Sequence, residues 1–74
     1  MNLYKLGQNY VTNQGRIYNT KDLLIISANT PKEAKDILLL NIPISKLVST
    51  KFNSSEWTFD ELVEVFINVS YIGT

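Results

Sequence analysis

Neither histidine nor cysteine occurs anywhere in the 74 residues. Their absence removes the nitrogen and sulfur ligand sets that hold zinc and most transition metals. It also removes every serine or cysteine nucleophile that depends on a histidine base. The three glycines are scattered and form no loop that could cradle a phosphate. Proton transfer would therefore fall to carboxylates, tyrosines or lysines. The chain offers one carboxylate cluster, Asp60, Glu61 and Glu64, with Glu56 just upstream. Asp60 and Glu64 stand one helical turn apart, so a helix presents both on one face. The ordinary explanation is a solvated acidic face, because the first turns of a helix favour negative charge. The functional alternative is an acidic contact patch for a basic partner surface. The spacing is not that of a calcium-binding loop. No cofactor and no enzymatic activity are expected.

Trp57 follows the Ser54-Ser55 pair and has two readings as well, a lid on the core or an aromatic contact for a ligand. A partner-binding site is accordingly expected at Trp57, Asp60, Glu61 and Glu64. Tyr4, Tyr10, Tyr18 and Tyr71 fall in strand-like segments, and an aromatic strand face can stack bases. Charge argues against that use. The chain is neutral overall and has a single arginine. Residues 1–37 carry five basic against three acidic side chains, a net +2, and residues 38–74 carry two against four, a net −2. Phosphate-binding surfaces need clustered Lys and Arg. No apolar run approaches the ~20 residues of a membrane span, and the N-terminus lacks a basic-then-apolar secretion signal.

The elements that must position these residues are organised around residues 22–41. Leu23 to Ile26 is a continuous apolar run, extended by Ser27 and Ala28, which reads as a strand covered on both faces. Thr30, Pro31 and Glu33 then form a capping box with proline at the first helical position. Ala34, Ile37 and Leu38 share one helix face; Leu39 and Leu40 lie off it and are either core or an exposed contact patch. Upstream, residues 2–11 alternate as a first strand with Tyr4, Leu6 and Tyr10 on one face, and Gly7 marks a bulge or a close neighbour. Thr12 to Gly15 is a turn that returns the chain as a hairpin arm over about 16–28, with Asn19 to Asp22 as a potential break. Pro43 ends the helix, and Ile44 to Ser49 is too short and mixed to assign.

The tail holds two competing periods. Thr58 and Glu61 form a second capping box, and Phe59, Leu62, Val63 and Phe66 fit a helix face. Val63, Val65, Ile67, Val69 and Tyr71 alternate as a strand does. Because β-branched residues concentrate towards the end, the pattern divides into a helix at 59–65 and a strand at about 66–72. The result is a single α+β domain over 1–74, with a small antiparallel sheet of three or four strands and one main helix packed on it, in the order β-β-α-(α)-β. A sheet this small leaves edges to satisfy, so a homo-oligomer is expected.

Leu3-Tyr4-Lys5-Leu6 with Gln8, Ala28 with Thr30 and Glu33-Ala34-Lys35, Trp57, and Val69 with Tyr71-Ile72-Gly73 resemble small accessory proteins of bacteriophages and related mobile elements. The segment from Ile42 to Ser55 falls outside that pattern. The resemblance implies an intracellular, cytoplasmic protein of a bacterial host that binds and blocks a host factor, including defence systems such as CRISPR nucleases. Three functional classes thus remain: a protein-binding inhibitor, a small-ligand or nucleotide-binding oligomer, and a single-stranded nucleic-acid binder.

Overall fold

A tight turn starts the fold. In the computed structural model, which describes residues 1–48 and 52–74, Gly15 N–H donates to the Thr12 carbonyl and Thr12 N–H to the Arg16 carbonyl, both at 2.9 Å. Gly15 alone supplies the positive φ, +83°, which glycine adopts without a Cβ clash. The turn joins β1 (Asn2–Val11) to β2 (Ile17–Ala28) as an antiparallel hairpin. A third strand, β3 (Ile67–Gly73), pairs antiparallel with the other side of β1, giving the order β2-β1-β3. Between the hairpin and β3 come α1 (Pro31–Asn41), a single turn α2 (Ile44–Leu47), a 3₁₀ turn at Ser54–Glu56, and α3 (Phe59–Phe66). The α1 and α3 helices pack on the sheet and make a two-layer α+β domain. Among the described residues no helix is long and apolar enough to cross a membrane.

The organising strand is β1, which corrects the expectation that the chain is organised around residues 22–41, with the strand from Leu23 to Ala28 covered on both faces. That segment lies in an edge strand and is covered on one face only: Ile26 and Ala28 are buried, while Ile25 is 60% exposed and Ser27 faces solvent. An apolar run does not reveal which of its faces is covered. Nor is the second arm broken at Asn19 to Asp22. It runs unbroken as β2 but skips Leu23 and Thr20 in its register with β1. Such extra residues raise the local twist and re-aim side chains. The buried positions of β1 switch from Tyr4 and Leu6 to Asn9 and Val11, and Tyr10, expected with Tyr4 and Leu6, is half exposed. Gly7 sits at the switch. A Cβ there would stand 2.7 Å from the Lys21 carbonyl and 3.0 Å from the Asn68 side chain, so only glycine lets the strands close.

Both helices begin as their caps dictate. Thr30 Oγ1 accepts from Glu33 N–H at 3.1 Å and Thr58 Oγ1 from Glu61 N–H at 3.2 Å. Ala34 and Leu38 of α1 are fully buried and Leu39 is half-buried, whereas Leu40 is 85% exposed and is not core. The unassigned segment after Pro43 becomes α2, which buries Leu47; Ser49 lies outside the described residues. In the tail, α3 ends at Phe66 and β3 begins at Ile67 with no linker, one residue later than the two periods place the boundary. Phe66 and Ile67, the two residues at this junction, are among the largest fully buried side chains, with Leu6 and Leu38.

The junction is secured from β1. The last carbonyls of a helix have no partner within it. Ile67 N–H donates to the Val63 carbonyl, and Asn9 Nδ2 donates to the Val65 carbonyl at 2.9 Å. Asn9 Oδ1 in turn accepts from Asn68 Nδ2 at 2.8 Å. One buried amide thereby fixes both the end of α3 and the start of β3.

Candidate functional site

The residues expected to contact a partner fall on one exposed stretch and one groove. Asn53 through Glu61 are all exposed, yet the stretch is ordered by consecutive local caps. Asn53 Oδ1 accepts from Ser55 N–H (3.3 Å) and Oγ (2.6 Å), opening the 3₁₀ turn, and Trp57 N–H closes it on the Ser54 carbonyl at 3.2 Å. Thr58 then caps α3. Trp57 is held between these two caps, 37% exposed. Its indole packs at a tilt of 52° against Phe52 (centroids 5.2 Å apart), and Phe52 packs edge-on against the buried Phe66 at 5.1 Å. Trp57 is thus both lid and surface: anchored to the core through a line of three aromatics, with its outer part open.

Phe59 was expected on the buried face of α3, but the core there is built by Leu62 and Phe66, and Phe59 is 56% exposed. As the first helical residue it precedes the turn that packs on the sheet. Trp57 and Phe59 therefore present two aromatic rings two residues apart, bracketed by Glu56, Asp60 and Glu61. Among the described residues none of these three carboxylates forms an ion pair. The stretch combines apolar anchors with three negative charges.

Glu64 has a different setting. Its Oε2 meets Lys35 Nζ at 2.9 Å, linking α3 to α1. The Lys35 hydrogen bond and its positive charge hold the Glu64 carboxyl below the usual carboxylate range. Beside this bridge a groove of about 280 Å³ runs between the helices, lined by the apolar Leu39, Phe59 and Val63 and the charged Lys32, Asp36 and Asp60. Lys32 is engaged by Asp36 at 3.2 Å. Asp60 and Glu64 thus share the groove, Glu61 stands outside it, and Trp57 borders a separate, more open hollow against the hairpin turn at Asn13 to Gly15. Among the described residues no three acidic side chains converge as a metal site would require. The groove is slightly smaller than ligand pockets usually are, which run from about 300 Å³ upwards.

Sequence reasoning missed Phe59, Phe52 and the Lys35–Glu64 bridge. The cap at Thr58 is the one local signal for Phe59, because it makes Phe59 the first helical residue. Nothing local pairs Lys35 with a glutamate 29 residues away. The chain matches no protein family model, no curated protein and no solved structure.

Proposed function

We propose that the protein is a non-enzymatic protein-binding module, a phage-encoded inhibitor of a host or defence protein in the bacterial cytoplasm, with Asn53 to Glu61 as its contact surface. One observation carries this reading: Trp57 and Phe59 stand half exposed and two residues apart on a stretch fixed by successive caps, flanked along the chain by Glu56, Asp60 and Glu61. Exposed aromatics held rigidly lose little entropy on binding, and such residues dominate interface energetics. Three carboxylates around them suit a partner with a basic rim and an apolar hollow, and they speed encounter with it. Glu64 contributes by positioning α3 through Lys35 rather than by direct contact. The inhibitory role and phage origin rest on the resemblance of the chain to phage accessory proteins. Formation of a homo-oligomer is compatible with this reading, because the contact stretch and the sheet edges are different elements.

The test is a tagged pull-down from nuclease-treated bacterial lysate. One host protein retained in stoichiometric amount by the wild type, and lost with Trp57→Ala/Phe59→Ala and with Asp60→Asn/Glu61→Gln, is the expected result. Retention undiminished in both variants would remove the contact stretch from the reading.

A second reading has its own observation. Tyr10 and Tyr18 face each other across the hairpin, both about half exposed, on an arm that also carries Arg16 and Lys21. This arrangement could stack single-stranded bases. Fluorescence anisotropy with labelled oligonucleotides tests it, since real binding weakens steeply as salt rises.

A further inference from the structure

The two edges of the sheet are built differently. Exposed strand edges invite pairing with other strands, and proteins blunt them with charges, proline or bulges. The β2 edge is blunted in this way: its register skips Leu23 and Thr20, and it carries Lys21 and Asp22. The β3 edge is not. From Ile67 to Tyr71 it pairs with β1 without interruption. Residues 65–73 include no charged side chain and no proline. Among the described residues no strand pairs with the outer side of β3. Tyr71 rests edge-on against Tyr4, with centroids 5.9 Å apart, yet is 61% exposed, and Ile72 beside it is 47% exposed.

We infer that β3 docks a second copy of this chain, the two copies joining edge to edge across a twofold axis at Val69 into one six-stranded antiparallel sheet. An uncharged strand meets its own copy without like-charge repulsion, and the chain as a whole is neutral. Val69 is the midpoint of the uninterrupted stretch. Centring there sets Ile67 against the partner's Tyr71, Val69 against the partner's Val69, and Asn68 against the partner's Ser70. Each cross-strand pair then joins like with like, apolar with apolar and amide with hydroxyl. A foreign strand would need some feature to select it, and neither the groove nor the hollow described above borders β3. The edge is complementary to itself.

The inference stands apart from the partner reading, because purified chain alone tests it. The protein has no cysteine, so Val69→Cys introduces a unique thiol. Facing residues of antiparallel strands have Cα atoms about 4.5–5.5 Å apart, inside the disulfide range of about 4.4–6.8 Å. Mild oxidation should convert Val69→Cys to a covalent dimer far faster than Ile25→Cys, whose thiol would lie on the open face of β2. Sedimentation of the wild type from low-micromolar to near-millimolar concentration should show its mass rising from 8.4 kDa towards twice that value. Ser70→Lys, at an exposed position outside the core, should remain at 8.4 kDa throughout and still unfold cooperatively, with a melting temperature lower by a few degrees because residue 70 faces Lys5 on β1. A wild type that stays monomeric at near-millimolar concentration overturns the inference. So does a dimer that survives Ser70→Lys, or one that cross-links faster through Ile25→Cys.

Discussion

Replacing Asn9 by alanine tests the account of the helix-to-strand junction most directly. Asn9 is buried, gives one hydrogen bond to the Val65 carbonyl and receives one from Asn68. Alanine removes both bonds and leaves a helix-terminal carbonyl and an amide without partners. An unsatisfied buried polar group costs about 1–3 kcal/mol. Val65 and Asn68 are only half-buried, so water recovers part of that, and the lower half of the range applies to each. The expected loss is about 2–4 kcal/mol in total. For a domain of this size it corresponds to a fall in Tm of roughly 10–30 °C. Urea unfolding followed by the single tryptophan is the assay; Trp57 sits on Phe52 and so reports the core. The midpoint should fall while the slope is unchanged, because the surface exposed on unfolding is the same. A double-mutant cycle with Asn68→Ala should show coupling of about 1 kcal/mol. An Asn9→Ala protein within about 0.5 kcal/mol of wild type, the range of ordinary surface changes, would refute the reasoning. Strict additivity with Asn68→Ala would do the same for the Asn9–Asn68 bond.

Three further outcomes follow from the same geometry. Gly7→Ala places a methyl group 2.7 Å from the Lys21 carbonyl, and backbone must move, so denaturation should show a loss of about 1–3 kcal/mol. Phe52→Ala breaks the aromatic line from Trp57 to Phe66; tryptophan emission should shift to the red in the folded protein, and an unshifted spectrum would mean that Trp57 is held by its caps alone. The Glu64 carboxyl titrates lower in the folded chain than in the unfolded one because of Lys35. Its stabilisation is therefore present above the unfolded value near 4.5 and is lost as pH falls through the folded value. The effect is small, because Glu64 is well exposed and solvent screens the pair; Glu64→Gln should flatten that part of the acid limb, and an identical pH profile would count against the bridge.

What could be read from the sequence was what is written locally. Both helix starts follow from Thr30 with Glu33 and Thr58 with Glu61, since a cap acts over three residues. The helix and strand periods of the tail were legible for the same reason, and they meet within one residue of the expected point. Strand order was not legible. The run from Leu23 to Ile26 looks like an interior strand, although only pairing with distant residues decides which strand has two neighbours. Tyr10 was misplaced because burial on β1 passes from the even to the odd positions at Gly7, a change that packing against Val65 and Asn68 imposes and the alternation of the sequence does not show. For the candidate site, Trp57 and the carboxylates stood out by type, but which of them are free depended on a lysine from another helix.

The central place of β1 also sets an order of assembly. Its pairing with β2 closes through a turn of a few residues, so the hairpin costs little chain entropy and can form early. Its pairing with β3 joins residues as far apart as Leu3 and Gly73, and the Asn9–Asn68 bond that accompanies it spans 59 positions. That closure rewards the chain only after the helices have docked, and contacts of such separation are what slow folding. The sheet is therefore completed last along the edge that carries β3, and the bonds of Asn9 form as it closes. Weakening them should leave the folding rate nearly unchanged and appear as faster unfolding.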